Sequence, residues 1–248
     1  MSRIPDNLQG VHARIAEAAA KVSRRPQEIV LLAVSKTFDA AAVLEAIAAG
    51  QRDFGENYLQ EAVEKIEEVR SLQNNGMQDD AIRTALLNWH FVGPIQSNKT
   101  RPLAEHFDWV HSVDRGKIAL RLSQQRPPHL APLNVCIQVN ISNEDTKSGV
   151  QPDAVPALAR SIAAMPGLHL RGLMAIPQAA DDVAQQRLPF RALHALYMAL
   201  RADGMALDTL SIGMSADLEA AIFEGATIVR VGSAIFGQRS RDTAQHGH

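Results

Sequence analysis

The chain has 248 residues, 46% of them hydrophobic and only 4% aromatic, with a formal net charge of -2. It is long enough to close a full core and sits near the roughly 250 residues over which an α/β barrel forms one domain, so one domain is expected. A near-neutral charge with few aromatics excludes the basic footprint and stacking platforms of nucleic-acid binding, and no run approaches the ~20 apolar residues of a membrane-spanning helix.

The opening "MSRIPDNLQG" lacks the apolar centre of a secretory signal, so a cytoplasmic location is expected. Residues 6–22 follow as an amphipathic helix. Eight short apolar segments then read as strands: 29–35 (IVLLAVS), 52–56 (RDFGE), 89–93 (WHFVG), 109–113 (WVHSV), 134–141 (NVCIQVNI), 169–175 (HLRGLMA), 208–213 (DTLSIG) and 227–232 (TIVRVG). Between them lie stretches rich in Ala, Leu, Glu, Lys and Arg that suit helices, at 39–50, 58–72, 97–107, 115–125, 152–165, 189–204 and 215–225. The polar stretch 72–84 reads as a surface excursion, and the tail 238–248 as disordered. His246 and His248 on that tail offer too few fixed ligands for a metal, so no metal site is expected. Cys136 is the only cysteine; it can form no internal disulfide and is expected to pack as a small hydrophobe inside "VCIQV".

Strands alternating with helices imply parallel pairing through right-handed crossovers, and eight such units imply a single-domain α/β fold, a (β/α)8 TIM-type barrel with an extra N-terminal helix over residues 1–237. An open doubly wound sheet is the competing fold, but it would carry a Gly-rich fingerprint after its first strand, where this chain has "VSKTFDA".

A barrel of this type does its chemistry at the carboxyl ends of the strands. Those ends present Lys36, Glu56 and Asn57, His90 and Gly93, Ser112 and Asp114, Asn140, Met174, the run "SIGMS", and Arg230 with Gly232 and Ser233. A lysine partly desolvated in a barrel mouth loses preference for its ammonium form, which leaves an amine able to attack a carbonyl. The alternative is a rim lysine that lays its stem on apolar surface and keeps its charge in water. "SIGMSADLEAAI" enters a helix with Ser215 as a natural N-cap, and "VRVGSAIFG" repeats the glycine-then-serine theme; loops after the last two strands commonly bind phosphate. Each piece also has a plain structural reading: a cap for Ser215, tight turns for Gly213 and Gly232, first-turn acids for Asp217 and Glu219.

Taken together, "LLAVSKT", "FGENYLQE", "WHFVGPIQSNK", "VNISNEDTKSG", "RGLMAI", "SIGMSADLEAAI" and "VRVGSAIFG" resemble the pyridoxal phosphate homeostasis proteins, single-barrel relatives of the alanine racemase N-terminal domain. The resemblance spans roughly residues 7 to 237. It implies that Lys36 carries pyridoxal 5'-phosphate (PLP) as an internal aldimine, and that Ser211, Gly213, Met214, Ser215, Gly232 and Ser233 surround the phosphate. It further implies that Asn57 sits at the cofactor's edge and that Arg230 lies near the pyridine nitrogen or the phosphate. A guanidinium beside that nitrogen disfavours ring protonation and damps carbanion chemistry; an ordinary strand-end arginine paired to Glu56 or Asp217 is the other reading.

Racemisation needs bases on both faces of the substrate carbon. In alanine racemases one comes from a tyrosine on a partner's separate domain; here Tyr197 reads as helix packing and Tyr58 as a border of the ring. The expectation is therefore a non-catalytic, monomeric PLP carrier for vitamin B6 homeostasis that supplies apo-enzymes, with a small PLP-dependent racemase or Schiff-base lyase as the alternative. A regulatory module that senses loading could coexist with carriage. Lys147 reads as a solvated loop lysine that could instead assist cofactor entry, Lys99 as a cap or rim residue, and His90 as a satisfied core histidine.

Overall fold

Each apolar segment becomes a strand because its residues alternate between two buried faces, an outer one that the intervening helices cover and an inner one turned into the barrel. In the computed structural model, which describes residues 3–74, 79–142 and 148–237, the order is α1 (Ile4–Lys21), β1 (Val30–Val34), α2 (Ala40–Ala48), β2 (Asp53–Glu56), α3 (Leu59–Asn74), α4 (Asp80–Arg83), β3 (Asn88–Phe91), α5 (Thr100–His106), β4 (Trp109–Val113) and α6 (Gly116–Gln125). There follow β5 (Leu133–Gln138), α7 (Val155–Ala163), β6 (Leu168–Met174), α8 (Val183–Ala202), β7 (Thr209–Ser211), α9 (Leu218–Phe223), β8 (Ile228–Val231) and α10 (Ser233–Phe236). The eight strands pair in parallel and close β8 onto β1, so the barrel, rather than the open sheet, is the fold.

Strand parity sorts the side chains. Leu31, Ala33, Phe54, Trp89, Val110, Val135, Leu210 and Val229 join the large core between barrel and helices, while Leu32, Val92 and Ile228 form a small separate cluster inside the barrel with Trp109 against it. Much of the remaining interior is polar: His90, His111, Ser211 and Arg230 are all buried there.

Helix α1 occupies the place that a full helix after β8 would take, since α10 has only four residues. It buries Leu8, Val11, Ile15 and Ala19 against α9, α10 and α2. Asn7 Nδ2 donates to the Ile235 carbonyl at 2.8 Å, and Arg14 pairs with Glu219 at 2.8 Å.

Two local expectations are corrected. Helix α8 begins at Val183, two turns before Pro189, because Asp182 caps it by accepting from the Gln185 amide and Phe190, Leu193, Tyr197 and Leu200 are buried along it; one missing donor at Pro189 is outweighed. Ser215 is not the N-cap of α9. That position falls to Asp217, and residues 215–217 form a turn instead. In the 72–84 excursion, α3 runs on to Asn74 and Asp79 caps the short α4; residues 75–78 and the tail 238–248 lie outside the described residues.

Candidate functional site

The end of β1 decides where Lys36 points. Leu32 and Val34 face the barrel interior, so two residues further Lys36 does too, while Ser35 turns to the helices. Thr37 then adopts φ 68°, a left-handed conformation that is costly for a threonine and must be held by its surroundings.

A buried polar clamp supplies that hold. Lys65, from the second turn of α3, donates to the Ser35 carbonyl at 2.8 Å, to Glu56 Oε1 at 2.7 Å and to Glu61 Oε1 at 3.0 Å. Ser35 Oγ donates to the same Glu56 oxygen at 2.7 Å, and the Thr37 amide donates to Glu61 Oε1 at 2.6 Å. The backbone on both sides of Lys36 is thus gripped by α3. Burial pushes the Glu56 carboxyl above its ordinary range, with Lys65 pulling it back. Glu56, counted among the strand ends that face the barrel mouth, therefore faces α3 and belongs to the clamp.

Lys36 itself is half-buried and projects into a cavity of about 640 Å³ at the carboxyl end of the strands. Seven of the nine residues expected there line it: Lys36, Asn57, Met214, Ser215, Arg230, Gly232 and Ser233. Val34, Phe38, Val92 and Ile176 supply apolar wall. Gly93 lies two residues past the end of β3, where a Cβ would lie 2.2 Å from the Asn57 carbonyl, so the bare backbone lets Asn57 take its place.

Ser211 and Gly213 sit behind the wall rather than on it. Gly213 has φ 90°, its added Cβ would meet Ala221 Cβ at 2.5 Å, and its carbonyl accepts from the Arg230 amide at 2.9 Å; it is the turn that brings Met214 and Ser215 to the cavity. That turn is held from both sides, by Asp217 accepting from the Met214 amide and by Arg14 Nη2 donating to the Ser215 carbonyl at 3.0 Å.

Arg230 is only 5% exposed. Its Nη1 donates to the Ser211 carbonyl and, at 2.9 Å, to Ser211 Oγ, while Nη2 donates to the Ala175 carbonyl at 2.9 Å. Glu56 is taken by Lys65 and Asp217 by Met214, so Arg230 is not the carboxylate-paired strand end that was the other reading. Burial pushes its guanidinium down to about 10, which still leaves a cation at neutral pH.

A buried polar residue beneath the site that sequence reasoning did not single out is His111, fully buried inside the barrel between His90 and Ser211. Its only signal was parity, since it falls two residues after inward-facing Trp109 in "WVHSV". Tyr58 does not border the Lys36 cavity; with Lys99 and His106 it lines a second cavity of about 550 Å³ that shares only Asn57 with the first. Tyr197 packs as expected, its hydroxyl donating to the Leu207 carbonyl at 3.1 Å. Cys136 is buried, with its thiol pushed up to about 12 by desolvation. Lys147 lies outside the described residues.

A closed parallel barrel with an amine on the first strand end and a glycine-serine segment after the eighth defines a class, the alanine racemase N-terminal domain barrels, and the family model for "Alanine racemase, N-terminal domain" matches residues 7–240. The chain belongs to the pyridoxal phosphate homeostasis protein family. It is 58% identical to the protein of that name from Pseudomonas aeruginosa over 96% of this chain and 97% of that one, and 50% identical to the one from Escherichia coli over 96% and 98%. Among solved structures, it resembles PipY of Synechococcus elongatus with PLP bound (TM-score 0.74, 37% identity, 90% of this chain and 100% of that one). An alanine racemase from Corynebacterium glutamicum shares the fold at TM-score 0.61 and 17% identity, with 98% of this chain matching 64% of that one.

Proposed function

We propose that the chain binds PLP in the Lys36 cavity, holds it through Lys36 and hands it to apo-enzymes as a non-catalytic carrier. The observation that carries the reading is one wall combining a half-buried primary amine, a buried guanidinium and the glycine-serine start of α10. These suit three parts of the molecule: Lys36 would hold the aldehyde, Arg230 the pyridine edge, and Ser215, Gly232 and Ser233 the phosphate. Val34 and Val92 offer apolar contact for ring faces, and Asn57 an edge hydrogen bond. When bound, PLP supplies an aldehyde that condenses with an amine to a Schiff base and a ring that can act as an electron sink.

The chain's own residues limit that sink. The charge on Arg230 disfavours a proton on a nearby ring nitrogen. Among the described residues lining the cavity, Lys36 is the sole amine, and no carboxylate, imidazole or phenol stands opposite it to serve as a second base. PipY with PLP bound, at 37% identity, and the names of the curated relatives support the assignment. The reading takes residues 1–237 as the binding unit, the tail 238–248 as separate from it, and the protein as a cytoplasmic monomer.

The test is borohydride reduction of the PLP-treated protein followed by peptide mass analysis, with assays of D- and L-amino-acid turnover and of reactivation of a PLP-dependent apo-enzyme. The expected result is one adduct on Lys36, lost in Lys36→Ala, with negligible turnover and efficient reactivation. An adduct at another lysine, or robust racemisation, overturns the reading.

A further inference from the structure

A file of hydrogen-bonded groups crosses the barrel interior beneath the cavity, joining five strands. From Arg230 Nη1 it runs to Ser211 Oγ (2.9 Å), from Ser211 Oγ to His111 Nδ1 (2.7 Å), from His111 Nε2 to His90 Nδ1 (2.9 Å), and from His90 Nε2 to Asp53 Oδ1 (3.3 Å). Asp53 begins β2, at the opposite end of the barrel from Lys36, and Asn88 Nδ2 also donates to its Oδ1 at 3.0 Å. Trp109 stacks on His90 with an interplanar angle of 6°, and His90, His111 and Ser211 are each 1% exposed or less.

With both rings neutral, the carboxylate end fixes the direction of every proton in between. Asp53 only accepts, so a neutral His90 turns its Nε2 hydrogen to it and its bare Nδ1 to His111. A neutral His111 then turns its bare Nδ1 to Ser211 and accepts from the hydroxyl, leaving a Ser211 lone pair for Arg230, which only donates. His111 therefore carries its hydrogen on Nε2 and donates to His90 Nδ1. His90 in turn carries its hydrogen on Nε2 and donates to Asp53, a carboxylate that only accepts. The carboxylate end sets the direction and the guanidinium end is compatible with it, so the file is satisfied throughout with two neutral imidazoles and no mismatched contact. Desolvation, the nearby His90 ring and the Arg230 charge all hold the second proton off His111.

We propose that His111 and His90 are positioning residues that act through Ser211 to fix the buried Arg230 cation at the floor of the cavity. The three direct acceptors of Arg230 are neutral, two of them backbone carbonyls. The oriented dipoles of the file carry the influence of the Asp53 carboxylate toward that cation, and their acceptor ends all face it. The consequence for ligand binding rests on the PLP reading above; the proton arrangement does not.

Two measurements test this on the full chain. Long-range nitrogen-proton NMR correlation of the histidine rings in the unloaded protein at neutral pH is expected to show both His90 and His111 neutral with hydrogen on Nε2. A protonated ring, or hydrogen on Nδ1 of either one, overturns the file. Titration with PLP is then compared between wild type, Ser211→Ala, Ser211→Thr and His111→Phe. Affinity is expected to fall about tenfold in S211A and H111F, the size of one hydrogen bond to a charged group, with a changed absorbance spectrum of the loaded protein, and to be largely restored in S211T. Wild-type affinity and spectrum in folded S211A and H111F overturn the positioning role. Should H111F fail to fold, S211A and S211T carry the comparison. Absence of PLP binding by wild type sinks the functional reading instead, and the ring-nitrogen result then decides the file alone.

Discussion

The clamp beneath Lys36 makes a prediction that can be worked from its geometry. Lys65→Met keeps the length of the stem but removes three hydrogen bonds and, among the described residues, the one cation paired with Glu56, whose side chain is fully buried. Breaking one partner out of a buried ion pair costs about 3–5 kcal/mol because the other charge is left uncompensated. Unfolding entropy is about 2.1 cal/mol/K per residue, or about 0.5 kcal/mol/K for 248 residues. The substitution should therefore lower Tm by about 6–10 °C. The effect has a pH signature. Burial already raises the folded-state pKa of Glu56 above its unfolded value, so the native state binds the proton more tightly and stability falls as pH rises from the unfolded value through the folded one. Without Lys65 that folded value rises further, and the destabilisation should be small in mild acid and grow toward neutral pH. Glu56→Gln added to Lys65→Met should recover part of the loss, since it removes the stranded charge. Urea unfolding of the single and double variants across that pH range measures both effects; a pH-independent loss that E56Q does not relieve would refute the reasoning. A second readout is loading at Lys36, which should weaken in K65M because the backbone on either side of it is released.

Gly213→Ala should cost about 2–5 kcal/mol, combining the left-handed backbone with overpacking against Ala221, as denaturant midpoints would show. Arg14→Ala removes a half-exposed pair with Glu219 and a bond to the Ser215 carbonyl; global stability should fall by only about 1 kcal/mol, while amide exchange at residues 213–217 speeds up. The Cys136 thiol, buried and raised to about 12, should ignore a thiol reagent in the native state and react only on unfolding; rapid native-state labelling would contradict its burial.

Much of this was legible before any coordinates. The alternation of eight short apolar segments with helical ones implies parallel strands joined by crossover helices and points to an eight-stranded barrel, whose closure the pairing of β8 with β1 shows. The run "IVLLAVSK" likewise determines that Lys36 emerges at a strand's carboxyl end, and the glycine-serine runs after the last two strands mark its neighbours. These are local facts, set by period and composition. What escaped was set by direction and distance. Glu56 and Asn57 are adjacent in sequence yet serve different places, one the clamp and one the cavity, because consecutive strand residues point to opposite faces. Ser215 has the chemistry of a cap but yields that position to Asp217, since Arg14 from α1 and the left-handed Gly213 shape its turn. His111 was unreadable because its partners come from other strands: Ser211 lies 100 residues away, and barrel closure alone carries β4 across to β7. Sequence determined which groups this protein possesses and on which strands they stand; only the closed barrel, which turns side chains inward and joins distant strands around one axis, decided which of them meet.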